Sequence, residues 1–245
     1  MKRVELLGVE GLPEVRPGDD LGDLIAARAR FEPGDVLVVA QKVVSKSEGR
    51  LVHLADVTAG DEAKRLAPLL IANPDPRVVQ VVLDESVRVL RSERVLITET
   101  RQGYVCANAG VDHSNTGGGD VLTLLPVDPD ASARRLRDRI QELTGVALGV
   151  IVSDTFGRPW RLGIVNVALG VAGAPALIDL RGTPDDGGRP LHATVLAIAD
   201  DIASSAGLVM EKTARTPAVI VRGLALAGSG TGREIVRPAA EDLFR

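Results

Sequence analysis

The chain has 245 residues with 45% hydrophobic and 25% charged content, the proportions of a globular protein long enough to bury a substantial core. A formal net charge of −4 gives no general basic surface for nucleic acid, and no apolar run is long enough to span a bilayer or to serve as a secretory signal. Cys106 is the only cysteine, which excludes an internal disulfide and a cysteine-based zinc cluster, so one large or two small cytoplasmic domains are expected.

In chain order, residues 4–7 form a strand that Gly8 breaks, and Gly11, Leu12 and Pro13 have the pattern of a turn. Asp19 and Asp20 cap a helix with Leu21, Leu24 and Ile25 at i, i+3 and i+4; Arg28 takes the i+7 place, so Ala29 continues the apolar face. Pro33, Gly34 and Asp35 turn the chain into 36–40, apolar on both faces as in a central strand. Residues 58–72 are expected to be helical with a break at Pro68. A second helix starts with Asp75 as cap and Pro76 as first residue, and its apolar positions continue through Val78, Val79, Val82 and Leu83 to Val89 or Leu90. Residues 95–100 and 104–109, separated by Arg101, Gln102 and Gly103, pattern as a hairpin with Cys106 as a small core residue.

Asp128, Pro129 and Asp130 lead into a helix over 133–143 that Gly145 stops. Residues 149–152 make a buried strand, 162–173 closely packed strands or a glycine-lined cleft, and 183–189 a loop. Residues 193–210 are expected as a helix with Asp200 and Asp201 near its middle, one solvated and one paired. A polar link over 211–216 precedes the last core strand, 218–221, and 238–244 form a short terminal helix. The glycines of 228–232 lack the lysine–hydroxyl pair of a Walker A loop and are assigned to a flexible turn.

Three stretches carry groups suited to chemistry. The hairpin runs out into Gly110, Asp112, Ser114, Asn115 and the glycines of 117–119, which suits either a capped turn or a site at a strand end. The strand 149–152 ends in Ser153, Asp154 and Thr155, with Arg158 and Arg161 behind. Carboxylate and hydroxyl oxygens are hard ligands suited to Mg²⁺ or Mn²⁺, and guanidinium forks bind phosphate or carboxylate. Gln41, Lys42, Ser45, Lys46 and Glu48 follow the central strand at the end where open α/β sheets bind ligands; a lysine reaching phosphate and a solvated charged loop are both open there.

Glu10, Gly11, Leu12 and Pro13; Ser45, Lys46, Glu48, Gly49 and Arg50; the run from Asn108 to Asn115; the run from Ser153 to Arg161; and the strand 217–223 follow one another in an order and spacing that resemble the coenzyme F420-0:γ-glutamyl ligase family over nearly the whole chain. The resemblance implies one ligase domain over 1–245, of α/β (α+β) class, with a mixed central sheet, flanking helices, an unusual topology and an intertwined homodimer. It implies a GTP-dependent enzyme that joins L-glutamate to the terminal carboxylate of F420-0 and adds further γ-linked glutamate through an acyl phosphate. Two divalent ions, Mn²⁺ or Mg²⁺, are implied, with K⁺ as a further candidate cation. Asp112, Asp154 and Thr155 match the metal positions, and Glu211 stands where archaeal relatives carry a second-metal glutamate in a slightly longer segment. Glu10, Gly11, Leu12, Pro13, Gln41, Lys46, Asn115 and the segment Met210, Glu211, Lys212, Thr213, Ala214, Arg215, Thr216 match GTP-contacting positions. At Gln41 several relatives have a small hydroxyl residue. By charge, Arg158 and Arg161 are assigned to an anionic substrate, glutamate or the F420-0 phosphodiester. Some relatives also carry a C-terminal nitroreductase-like domain associated with long glutamate tails; without one, short tails are expected. The alternatives are a glutamate ligase for a different acid and a nucleotide- and metal-binding module without turnover.

Overall fold

The computed structural model describes residues 3–71, 73–113, 120–210 and 215–242. Asn115 and the segment Glu211, Lys212, Thr213, Ala214 lie outside the described residues.

The chain opens with β1 (Glu5–Gly8) and α1 (Leu21–Ala26), whose Asp20 cap accepts from the Asp23 N–H. β2 (Val36–Ala40) follows and passes without a break into α2 (Gln41–Ser47). The charged stretch after the central strand is therefore helical, because Gln41, Val44 and Ser45 turn one face inward. β3 (Leu51–His53) and α3 (Asp61–Leu66) come next, and Pro68 sits in the 3₁₀ turn that ends the latter. α4 (Pro76–Asp84) begins at the expected Asp75–Pro76 cap but stops well short of Val89. Residues 86–91 instead form β4 (Ser86–Arg91), which pairs with β5 (Ile97–Thr100), itself paired with β6 (Val105–Ala107). The hairpin offers 86–91 a ladder of backbone partners, and tertiary pairing overrides the helical spacing of the valines.

β7 (Val121–Thr123) pairs with β3, and α5 (Pro129–Thr144) ends at Gly145 in the left-handed conformation, φ 73°. β8 (Gly149–Arg158) does not end at Ser153: it runs on beside β9 (Arg161–Ala172) as a long hairpin, with a register shift at Val152/Ser153. Gly170 on β9 is required by packing, since a Cβ there would lie 2.1 Å from the Pro129 carbonyl oxygen. β10 (Ile178–Asp179) and β11 (Val195–Leu196) flank the 183–189 loop. α6 (Ile198–Ala206) starts later than expected because 195–196 pair as a strand, and this puts Asp200 and Asp201 in its first turn rather than its middle. Asp200 accepts from the Ala168 N–H at 2.8 Å, while Asp201 is exposed, so one acid is paired and one solvated. β12 (Ala218–Arg222) is the last strand. Glycine 232 opens a 3₁₀ turn capped reciprocally by Thr231 and Glu234, and 239–241 form another instead of a terminal helix.

The central sheet has the order β1-β12-β2-β8-β9 and is mixed: β2 and β8 are parallel, the other pairings antiparallel. Successive residues of β2 face opposite sides. Leu37 and Val39 join Ile25, Leu136, Ile140 and Val150 beneath α1 and α5, whereas Val36 and Val38 join Ile151, Ala199, Ile202 and Val219 beneath α6. At roughly 1.5–3 kcal/mol per buried aliphatic side chain, these two layers dominate the stability. A smaller core under α3 and α4 collects Ala63, Leu66, Val79, Val82, Leu96 and Ala109. The two regions meet where Tyr104, next to β6, donates its hydroxyl to the Leu169 carbonyl of β9 and packs edge-on against Phe156. No helix among the described residues is long and apolar enough to cross a membrane.

Candidate active site

The sheet register brings four of the predicted stretches to one edge. Ala40 is opposite Ser153 in the parallel pair, so Gln41 begins α2 where β8 carries on into Asp154 and Thr155. On the other flank of β2, the Ala40 N–H donates to the Pro217 carbonyl at 2.8 Å, and the Val9 N–H to the Ala218 carbonyl at 2.8 Å. The end of β1 and the entry to β12 therefore lie beside the end of β2. Glu10, Gly11, Leu12 and Pro13 leave β1 here, and Arg215 and Thr216 arrive. A Cβ on Gly8 would sit 2.9 Å from Thr216 Cγ2, which places the two segments in contact. Gly11 has φ 71° and its carbonyl accepts from Arg28 Nε at 2.7 Å, so the loop is pinned to α1 by its backbone while Glu10 and Pro13 are exposed.

Helix α2 ties this edge to the second region. The Gln41 amide is buried and donates to Ser45 Oγ at 2.6 Å and to the Leu124 carbonyl at 2.9 Å. The Gln41 side chain is thus turned inward, committed to contacts within the protein. Thr123, the residue before Leu124, exchanges two backbone hydrogen bonds with Asp112, at 3.0 and 2.8 Å. Lys42 then closes the loop: its Nζ lies 2.6 Å from Asp112 Oδ2. One turn on, the largely buried Lys46 carries its ammonium to Glu14 Oε1, which follows the 10–13 loop. A buried ammonium requires such a partner to offset desolvation.

Asp112 follows three consecutive residues in the left-handed region: Asn108 (φ 54°), Ala109 (φ 53°) and Gly110 (φ 68°). Ala109 is buried, and a Cβ on Gly110 would lie 2.7 Å from Leu125. Left-handed non-glycine residues cost roughly 1–2 kcal/mol each and persist where the surroundings hold them. The strained Asn108 and Ala109 lie three to four residues before the carboxylate, with Val111 extended between. Asp154 accepts from the Thr155 N–H through Oδ1 at 2.8 Å. Burial pushes the Cys106 thiol up to about 12, and the negative charge of Asp154 adds to the shift. Asp154 thus lies within electrostatic reach of β6, the strand that leads to Asp112. Asn166, across the hairpin, donates to Ser153 Oγ at 3.1 Å and approaches Met210 Sδ at 3.7 Å, which brings Met210 to the same edge.

The two arginines are placed apart from this group. Arg158 and Arg161 face each other in register at the hairpin turn, with Arg158 donating to the Leu162 carbonyl. At about 3.3 Å per residue, Arg158 stands roughly 13 Å along the strand from Asp154.

Asp112, Asp154 and the Thr155 hydroxyl offer oxygen donors only, the set that suits Mg²⁺ or Mn²⁺, and a cationic group already stands against Asp112. The residues fit a hard divalent ion. No group of three His, Cys, Asp or Glu side chains positioned to hold an ion occurs among the described residues. Lys42 was named by the sequence only as part of its stretch, without a role of its own, and Glu14 was not named at all. Lys42 carried a signal, its place after a buried strand; the pairing of Glu14 with Lys46 had none.

A cavity lies elsewhere, at the opposite end of the parallel pair, lined by Asp35, Val36, Arg137, Gln141 and Gly149. Its buried Asp35 is engaged bidentately by Arg222 and serves the fold.

Residues 11–223 match the family model described as F420-0:Gamma-glutamyl ligase. Among curated proteins, the Coenzyme F420:L-glutamate ligase of Methanopyrus kandleri is 49% identical over 98% of each chain. The protein of the same name from Archaeoglobus fulgidus is 48% identical over 99% of this chain and 97% of its own. That from Methanocaldococcus jannaschii is 43% identical over 100% and 98%. With a model match over most of its length and relatives of this identity along all of it, the chain belongs to the F420-0:gamma-glutamyl ligase family.

Proposed function

We propose that the chain is a GTP- and divalent-metal-dependent ligase that joins L-glutamate to the terminal carboxylate of F420-0 and then adds further γ-linked glutamate. The names of its relatives support the ligase and its substrates. The observation that supports the phosphate chemistry is that α2, which carries Lys42 against Asp112 and Lys46 against Glu14, begins beside Ser153, the residue before Asp154.

A carboxylate is a poor acyl donor. In the proposed sequence, its oxygen attacks the γ-phosphorus of GTP, the bond to GDP breaks, and an acyl phosphate forms. The glutamate amine then attacks the acyl carbon, loses a proton, and inorganic phosphate departs with the original carboxylate oxygen. Asp112, Asp154 and Thr155 would hold divalent cation, which when bound neutralises and aligns the transferring phosphoryl group. The loop of Glu10, Gly11, Leu12 and Pro13, held by Arg28, and Lys46 behind it would seat the nucleotide with Thr216. Asn115 and the 210–216 segment belong to the same assignment by family position. Arg158 and Arg161 would receive an anionic part of the acceptor or glutamate.

The hairpin tip supports a homodimer. Trp160 and Leu162 are 73% and 98% exposed, and Ile164 is half exposed, an apolar group that a second copy would cover.

The test is isotopic. F420-0 labelled with ¹⁸O in its terminal carboxylate should yield inorganic phosphate carrying one ¹⁸O in the first ligation, later additions drawing their oxygen from the unlabelled glutamate already added. Unlabelled phosphate from the first ligation would rule out the acyl phosphate.

A further inference from the structure

Lys42 presents a problem that the proposed reaction does not absorb. Its ammonium lies 2.6 Å from Asp112 Oδ2, the carboxylate assigned to the divalent cation. Neither partner is placed there by chance. Lys42 is the second residue of α2, and the adjacent Gln41 fixes the helix start through the Leu124 carbonyl. Asp112 is fixed by its backbone bridge to Thr123, one residue from Leu124. The ammonium and a divalent ion would compete for the same negative charge. The side chain of Lys42 is 20% exposed and that of Asp112 42%, so both keep a solvent-facing route for exchange.

We propose that Lys42 is the resident counter-cation of Asp112, displaced more readily by metal and nucleotide together than by either alone. The exchange conserves charge pairing: the carboxylate passes from ammonium to metal, while the ammonium passes from carboxylate to phosphate. Metal alone must expel Lys42 with nothing to receive it, and nucleotide alone must draw Lys42 away and leave Asp112 without a counter-charge. Each ligand therefore favours the other, and the coupling is reciprocal by thermodynamic necessity. Lys42 is in this view a positioning residue that makes metal and nucleotide binding interdependent. The inference rests on the reading of Asp112 as a cation ligand.

The test is titration of Mn²⁺, with free ion counted by its electron paramagnetic resonance signal. It compares the full chain with Lys42→Met, Lys42→Arg and Asp112→Asn, with and without GDP, after correction for Mn²⁺ bound by GDP in solution. A partly exposed ion pair predicts about a two- to five-fold effect. Without GDP, Lys42→Met should bind Mn²⁺ tighter than wild type by that factor. The strengthening of Mn²⁺ binding by GDP should shrink correspondingly. Lys42→Arg keeps the charge and should retain the wild-type coupling, which separates loss of the ammonium from damage to packing. If Asp112→Asn weakens Mn²⁺ binding while Lys42→Met binds it no tighter than wild type, the counter-cation role is overturned. If Asp112→Asn leaves Mn²⁺ binding unchanged, the underlying assignment of Asp112 fails.

Discussion

Ala40 of β2 and Ser153 of β8 are register partners across the parallel pair, and the residue after each belongs to the proposed site. Because β8 continues as strand, Asp154 is held by the pairing of its strand with β9, opposite Val167, rather than by a loop. A carboxylate positioned in this way supplies charge to a cation without needing to be ordered first. Asp154→Asn keeps shape and removes that charge. Ligation should fall at least about 100-fold with the far-ultraviolet circular dichroism unchanged, the scale typical for loss of one preorganised electrostatic group. Near-normal turnover would remove Asp154 from the site.

Gln41 connects the central sheet to the backbone beside Asp112. Gln41→Leu preserves bulk but leaves the Leu124 carbonyl without this buried donor. Urea denaturation should show a loss of about 1–3 kcal/mol. Mn²⁺ affinity should also drop, because Leu124 neighbours the residue that bridges Asp112. Loss of stability with unchanged metal affinity would show that the helix start does not govern the carboxylate.

The sequence expressed this fold best where structure is set locally. Asp75 with Pro76, Asp128 with Pro129, and the left-handed Gly145 all act through neighbours a few residues away, and each bounds a helix as expected. Residues 86–91 failed that reading because their partner is a strand that starts at Ile97, and the choice between helix and strand lay in that pairing. For the stretch 41–47, left open between a phosphate-reaching lysine and a solvated loop, the structure gives a helix whose polar Gln41 and Ser45 bond to one another inside the protein. At the site, Asp112 and Asp154 were singled out as acids at strand ends and from the family resemblance, and their role stands as a proposal. The contact of Lys42 with Asp112 joins residues far apart in the chain and emerges only once β3, β7 and α2 are assembled.

Cys106 offers a pH prediction. Burial raises its folded value from 9.0 to about 12, with Asp154 adding to the shift. The thiol should resist iodoacetamide at pH 8 in the folded protein and react in denaturant, as read by mass spectrometry. Above about pH 9 the unfolded chain gives up a proton that the folded chain retains. Stability should therefore decline between about pH 9 and 12, by up to about 1.4 kcal/mol per pH unit from this group. Tyr104, raised chiefly by burial, adds a loss of the same sign above 10.0. Cys106→Ala should flatten the earlier part of the decline; an unchanged profile would mean the thiol is not protected.

The hairpin tip yields a prediction about assembly. Leu162 is almost wholly exposed, beside Trp160, so Leu162→Asp costs the isolated chain less than about 0.5 kcal/mol. If a second copy covers the tip, sedimentation should show wild type as a dimer and Leu162→Asp shifted toward monomer. A variant that remains fully dimeric would place the contact elsewhere.

The most direct test of the proposed function is mass spectrometry of the purified protein incubated with F420-0, L-glutamate, GTP and Mn²⁺. The account predicts a product heavier by one or more glutamyl units, absent when GTP or the metal is omitted. F420-0 returned unchanged, with GTP still bound in a metal-dependent way, would contradict it and direct the search to another carboxylate acceptor.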